Sequence, residues 1–517
     1  MMFIISVGLP IRDNKPMRLV LINPRLADSF WSFTWENIYV TRQDKAVLPP
    51  MGLAIIAALS PKDWDVVIID ENVDEIDWDI EADLVGVCGM NVQWARQCEI
   101  VRHFRNRGIH TVVGGAYASL VPELYSELAD TIVAGEAEKT WPQFCADFEK
   151  GRPLKFYQES GEVDLTASPQ PRYELLKLDR YRMVGVQFSR GCPYVCEFCE
   201  IIVVQGRKPR TKTMEQVERE LDLLRKTGVK DIFFVDDNFI GSRKDAKKLL
   251  SFLSDYQRAH HSDFRFGTQC SINMAADDEL MGLFQSANFE WVFLGIETPN
   301  IESLKEARKT QNLGGDLISA IQKIYAHGID IYAGFIVGFD SDDKTIFDRQ
   351  FDFIVQSGIV LSLVGLLAAL PRTPLYERLQ KAGRLRDLGG TDSIGLATNV
   401  TPLRMTYEEL IEGTKNLFCR LVEDKTVYRR LVFKLRHFKK TGAFGRLSLR
   451  TKLAYGLRLL RYGILPGGMK RLYYFALCML REPGPRRWSV VIEDWMTAIS
   501  FETVVNRTIR GSKGCVD

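Results

Sequence analysis

Three cysteines fall within eight residues in the run Ser189-Arg190-Gly191-Cys192-Pro193-Tyr194-Val195-Cys196-Glu197-Phe198-Cys199, directly after the strand-like Gly185-Val186-Gln187-Phe188. A C-x3-C-x2-C spacing lets thiolates from one loop ligate one compact metal centre, and soft thiolates select iron–sulfur clusters or zinc over harder ions. Held by three cysteines, a four-iron cluster keeps one iron open, and an open iron can bind a substrate or cofactor. A zinc loop borrowing a distant ligand, or three unrelated buried thiols, would satisfy the same spacing, so the surrounding sequence has to decide.

That surrounding sequence alternates strand and helix patterns. After the basic Arg207–Lys212 come a helical stretch from Met214 to Thr227, closed by Gly228, and a strand at Asp231 that ends in Asp236 and Asp237. Further strands are expected at Arg265–Gln269, Trp291–Glu297, Ile331–Phe339 and Ser362–Ala368. With the strand before the cysteines this makes six βα units in residues 185–385, a partial, open barrel whose function sits on the loops at its C-terminal face. Gln269, Ser271, Glu297 and Gly338 stand at or just past those strand ends.

Residues 1–150 show a second alternation, with strands expected at Arg18, Val66, Leu84, Thr111 and Thr131. It predicts a doubly wound α/β domain with a ligand crevice beyond the carboxyl ends of its strands. The strand-end loops bring Met90, Asn91, Gln93, Gly114, Gly115, Tyr117, Gly135 and Glu136 to that edge. The opening Met2–Pro10 run is apolar but lacks the basic leader of a secretory signal, and Met17 is a candidate start. Residues 151–184 are proline-punctuated and read as a linker.

The cysteine motif, with Phe198 just before its third cysteine, resembles the signature of radical S-adenosylmethionine (SAM) enzymes. The order Pro-Pro-x-Gly-Leu, Asp-Leu-Val-Gly, Gly-Gly and Gly-Glu-x-Glu in the first domain resembles the cobalamin-binding domain preceding many such cores. Longer runs, including Phe233–Ile240, Gly295–Asn300 and Val364–Leu379, resemble a subgroup with an extra C-terminal domain that includes hopanoid methylases. The resemblance implies a [4Fe–4S] cluster on Cys192, Cys196 and Cys199, SAM on its open iron, and cobalamin on the first domain. It further implies that Asp236 and Asp237 take SAM's amino group, that Gln269 and Ser271 serve its carboxylate or ribose, that Glu297 serves the ribose, and that Phe198 and the Gly334–Phe339 strand flank the adenine. A flavodoxin-like scaffold is the alternative for the first domain. No Asp-x-His-x-x-Gly motif is present, so water or a side chain of the Met90–Gln93 loop is expected below the cobalt. His103 and His110 read as surface residues, and Tyr117 stands where relatives often carry histidine.

Residues 386–517 read as mainly helical. From Thr426 to Val490 there are sixteen Lys or Arg against one acid, Glu482; a stretch of formal charge +15 leaves −13 on the remainder. Arg429, Arg430, Lys434, Arg436, Lys439 and Lys440 interleave with Leu431, Phe433, Leu435 and Phe438, a basic amphipathic pattern suited to an anionic membrane surface or to docking on the acidic body. No recognised RNA-binding motif is present, and nucleic acid ranks last among partners. Ten cysteines without secretory features point to a reducing, cytoplasmic setting, with peripheral membrane contact through 426–490. The leading expectation is a C-methyltransferase acting on an unactivated carbon of an apolar, isoprenoid or hopanoid-like small molecule, fed by an external electron donor. A radical rearrangement, cyclisation or other group transfer, and a non-catalytic iron–sulfur or corrin-binding module, are the alternatives.

Overall fold

The computed structural model describes residues 15–510 apart from 28, 30, 31, 44, 160, 161, 388–395, 440–445, 482 and 483. The Met2–Pro10 run, Lys440, Glu482 and Cys515 lie outside the described residues. The chain forms two compact units, one holding Pro49–Leu178 with the stretch ending at Ala27, the other holding Asp28–Leu48 with the chain from Asp179 onward.

The first unit is built on a six-stranded parallel sheet of β1 (Arg18–Asn23), β2 (Asp65–Asp70), β3 (Leu84–Cys88), β4 (His110–Gly114), β5 (Thr131–Ala134) and β6 (Phe156–Gln158), in the order β2-β1-β3-β4-β5-β6. Near-continuous apolar runs such as Leu19–Ile22, 0–1% exposed, identify strands covered on both faces. The sixth strand corrects the linker expectation for 156–158. Only Tyr157 of its three residues is buried, too short a run to show a period.

The second unit opens on β7 (Val184–Val186) and a small antiparallel pair, β8 (Ser189–Arg190) with β9 (Arg210–Thr211). It continues through β10 (Asp231–Phe234), β11 (Arg265–Cys270), β12 (Phe289–Glu297), β13 (Asp330–Val337) and β14 (Ser362–Leu366). The six main strands are parallel in the order β14-β13-β12-β11-β10-β7, the expected open (β/α)6 arrangement. The helix Met214–Thr227 has a Thr213/Gln216 capping box and ends at Gly228 with φ +79°. The helical C-terminal stretch belongs to this same unit, and Lys434 of the helix Asp424–His437 pairs with Asp330 of β13 at 2.7 Å. Residues 28–48, which no sequence pattern set apart, also join it, with Val40 fully buried and its carbonyl accepting from Arg458 at 2.9 Å.

Candidate active site

The cysteine loop follows β7, and two carboxylates, Asp236 buried and Asp237 half-buried, hold its base. Asp236, just past β10, is 0% exposed and accepts the N–H of Phe188 (2.8 Å), the N–H of Ser189 (2.9 Å) and the hydroxyl of Ser189 (2.6 Å). Burial pushes its pKa up to about 7, against the opposing pull of those donors. Asp237 accepts the N–H of Gly191 at 2.7 Å. In this structure the Asp236 carboxylate, one of the pair expected to take SAM's amino group, shapes the cysteine loop. Gly191 has φ +93°, and a Cβ there would lie 2.7 Å from the Lys208 carbonyl, so the turn into Cys192 admits only glycine. On the other side, the N–H of Glu197 donates to Ala307 at 3.1 Å, and its carboxylate accepts from Arg378 at 2.6 Å. Arg378 in turn donates to Asp340 at 2.6 Å, tying the loop to the turn after β13.

Amide side chains surround the sulfurs. The Asn238 amide lies 3.9 Å from Cys192 Sγ and donates to Ser271 Oγ at 3.2 Å. Ser271 donates to Asn273 at 2.9 Å, and Asn273 to the Tyr194 hydroxyl at 2.8 Å, which closes a ring back to the cysteine loop. Gln311 donates to Cys196 Sγ at 3.5 Å. Both Asn238 Oδ1 and Gln311 Oε1 are buried with no hydrogen-bond partner among the described residues. Buried acceptors are rarely left so, which fits a site completed by a ligand with N–H donors. Burial pushes the thiols of Cys192 and Cys199 up, the latter to about 12. Such thiols become thiolates on bonding to an electropositive centre. Among the described residues no three Cys, His, Asp or Glu side chains are gathered to hold a single ion. Cysteines of a four-iron cluster each bind a different iron.

At the end of β12 Glu297 adopts φ +64° and pairs with Lys309 at 2.5 Å, both side chains about one-tenth exposed. Lys309 lies 5.9 Å from the centre of the Phe198 ring. Burial works to lower the Lys309 pKa, but the Glu297 carboxylate and the Cys196 sulfur outweigh it, so the net shift is upward and the side chain stays cationic. Phe198 packs near Phe339, ring centres 6.2 Å apart. Gln269 donates to the Asp236 carbonyl at 2.8 Å, and the N–H of Gly338 is taken by Asp342 at 3.0 Å, so both brace neighbouring loops. Sequence reasoning missed Asn238, Lys309 and Gln311. Asn238 follows the paired aspartates directly, whereas the other two lie in a stretch without periodicity.

In the first unit Gly114, Gly115 and Gly135 line a small apolar cavity of about 60 Å3 with Leu21, Val112 and Trp141 at the C-terminal edge of the sheet. A Cβ on Gly115, at φ +92°, would sit 3.2 Å from the Gly89 nitrogen. Of the loop residues, Met90 is 47% exposed, while Gln93 is buried, accepts the Met90 N–H at 2.9 Å and donates to Asn23 at 3.2 Å. Asn91 accepts from Val92 N–H at 2.9 Å, Glu136 is buried against the Val163 N–H at 3.3 Å, and Tyr117 packs edge-on against Trp94. Gln93 and Glu136 are thus engaged within the protein. The two histidines are half-buried and not surface residues: His103 contacts the Trp78 carbonyl at 2.9 Å, and His110 opens β4 beside Thr131 at 3.0 Å.

Residues 186–349 match the radical SAM superfamily, 39–144 the B12 binding domain, and 373–513 a domain of unknown function, DUF4070. The chain is 42% identical over 376 residues to an uncharacterized methyltransferase of Synechocystis sp., covering 72% of this chain and 70% of that one. It is 33% identical over 431 residues to the hopanoid C-2 methylase of Rhodopseudomonas palustris, covering 81% and 80%. The chain belongs to the cobalamin-binding radical SAM family. It is an enzyme of that family's methyltransferase branch, in the subgroup with the extra C-terminal domain. Solved structures of family fold agree: TsrM from Kitasatospora setae, solved with cobalamin and a [4Fe-4S] cluster, gives a TM-score of 0.59 at 16% identity over 96% of this chain and 100% of that one. OxsB with aqua-cobalamin and SAM gives 0.60 at 15% identity over 98% and 82%.

Proposed function

We propose that this radical SAM enzyme is a cobalamin-dependent C-methyltransferase acting on an unactivated carbon of an apolar, hopanoid-like isoprenoid. The observation that carries the reading is the braced loop presenting Cys192, Cys196 and Cys199 beside two buried amide oxygens without a partner among the described residues. The three cysteines would hold the [4Fe–4S] cluster. Asn238 and Gln311 offer acceptors to an amino group, Lys309 a cation to a carboxylate, and Phe198 an apolar face to adenine. Gly114, Gly115 and Gly135, with Met90 and Asn91, would receive the corrin on the first unit. When bound, the cluster and SAM supply the one-electron cleavage that removes substrate hydrogen as 5′-deoxyadenosine, and cobalamin supplies the replacing methyl group, drawn from a second SAM. The protein's own residues orient these groups: Asp236 and Arg378 fix the loop, and the amide ring fixes Cys192. The 33% identity to the hopanoid C-2 methylase, over four-fifths of both chains, supports the substrate class. An external donor would supply two electrons per turnover, one for SAM cleavage and one that readies cobalamin for its next methyl group, and an apolar substrate favours work at a membrane surface.

The test is anaerobic reconstitution with cluster, cobalamin, reductant, methyl-labelled SAM and a hopanoid. Formation of 5′-deoxyadenosine together with label in the lipid is expected. Absence of 5′-deoxyadenosine removes the radical reading, SAM cleavage without bound corrin removes cobalamin, and cleavage with unlabelled lipid removes the hopanoid class.

A further inference from the structure

The basic sector divides by burial. In the helix Asp424–His437 two basic residues face inward while Lys425, Arg429 and Arg436 are exposed: Arg430 is 1% exposed and donates to the carbonyls of Val360 (3.0 Å) and Leu421 (2.7 Å), and Lys434 is 2% exposed between two carboxylates. Leu431 and Leu435 are buried with them, so the apolar face of this helix packs on the protein, with Lys434 on two of its acids, and is not free to enter a membrane. The next two helices, Leu449–Leu459 and Gly468–Arg481, behave in the opposite way. Leu449, Leu453 and Leu457 are 73%, 60% and 67% exposed, and Met469, Tyr473 and Leu480 are 79%, 59% and 76% exposed. Their spacing, every four residues in the first helix and four then seven in the second, puts each set on one stripe. Leu465, at the turn between them, is also more than half exposed. Arg450, Lys452, Arg461, Lys470 and Arg481 flank the stripes, and no acidic residue occurs from 449 to 481.

We propose that these two helices form a docking face for an anionic lipid bilayer, with the apolar stripes entering the acyl boundary and the Lys and Arg heads meeting phosphate. Scattered exposed leucines are ordinary, but two apolar stripes on a segment whose own charged residues are all basic have the character of interfacial helices. Fourteen residues of helix rise about 21 Å, short of the roughly 30 Å hydrocarbon core, so the face lies on the membrane. A second copy of the chain is the poorer occupant, because a twofold contact would set this net-basic segment against its own like charge. The inference deepens the proposed function by naming where a lipid substrate would be met, and it rests on that reading only for the substrate.

The experiment is co-sedimentation of the full-length protein with phosphatidylglycerol vesicles and with phosphatidylcholine vesicles, at low and high salt. Binding to the anionic vesicles that weakens with salt is expected. The triple variant Leu453→Ser/Leu457→Ser/Met469→Ser should lose at least about tenfold in partitioning. Arg450→Gln/Lys470→Gln, at exposed positions, should flatten the salt dependence while circular dichroism stays unchanged. No vesicle binding, equal binding to both lipids, unchanged binding of both variants, or a dimer that the apolar variant dissolves would each overturn the proposal. Vesicle binding reads no chemistry, so failure of the methylation reading and failure of docking are distinguishable.

Discussion

Gln311 donates its side-chain amide to the sulfur of Cys196 at 3.5 Å, and its own carbonyl oxygen is buried with no partner among the described residues. Hydrogen bonds to cluster sulfurs favour the added electron and so raise the reduction potential. Gln311→Leu removes the donor at nearly constant volume. The expected result is a cluster potential shifted to more negative values with iron content per chain unchanged, read by a redox titration followed by electron paramagnetic resonance. An unchanged potential would show that the amide plays no electronic part.

The turn into Cys192 offers a test with an internal control. A Cβ at Gly191 would meet the Lys208 carbonyl at 2.7 Å, whereas at Gly228 it would meet nothing within 4 Å; φ is +93° and +79° respectively. Gly228→Ala should therefore cost only about 1 kcal/mol of conformational strain. Gly191→Ala adds a backbone clash beside the cluster ligand and should lose most of its iron on reconstitution. Equal iron in the two variants would refute the claim that the loop needs glycine for space.

Much of the architecture was legible because its signals are local. Six βα units and a helix stop at Gly228 are written in local patterns, and three ligands sit in one loop. The roles of the polar residues were less legible, because they depend on partners far along the chain. Asp236 has the composition of a cation receptor, yet it binds the backbone of Phe188 and Ser189, nearly fifty residues away. Arg430 and Lys434 fitted a membrane surface and the acidic body equally well in sequence, because Asp330, Asp494 and the carbonyls that receive them are distant along the chain.

Glu297 and Lys309 are expected to behave as one unit. Glu297 holds a left-handed backbone, an arrangement costing on the order of 1–3 kcal/mol in a non-glycine residue, and its carboxylate reaches Lys309 at 2.5 Å. Gly295 makes room, since a Cβ there would lie 2.5 Å from the carboxylate and 2.7 Å from the ammonium. Lys309→Met strands a buried charge and should destabilise by about 3–5 kcal/mol in urea unfolding. Adding Glu297→Gln should recover a large part of that loss. Strict additivity of the two single changes would contradict the pairing.

Lys434 bridges Asp330 on β13 at 2.7 Å and Asp494 on the final helix at 2.8 Å, and the second oxygen of Asp494 is buried with no hydrogen-bond partner among the described residues. Burial pushes Asp494 up to about 6, the Lys434 charge opposing it only in part. An unfolded aspartate titrates near 4, so between about pH 4 and pH 6 the native state holds a proton that the unfolded chain has released. The contribution of this group to stability is thus full below about pH 4, falls as pH rises to about 6, and is flat above. Subtracting the urea midpoints of Asp494→Asn from those of the native chain should expose that decline across the window. Lys434→Met leaves two carboxylates facing each other, so it should move the window to higher pH and cost about 3–5 kcal/mol at neutral pH. Parallel pH curves for the native chain and Asp494→Asn would remove Asp494 from the account.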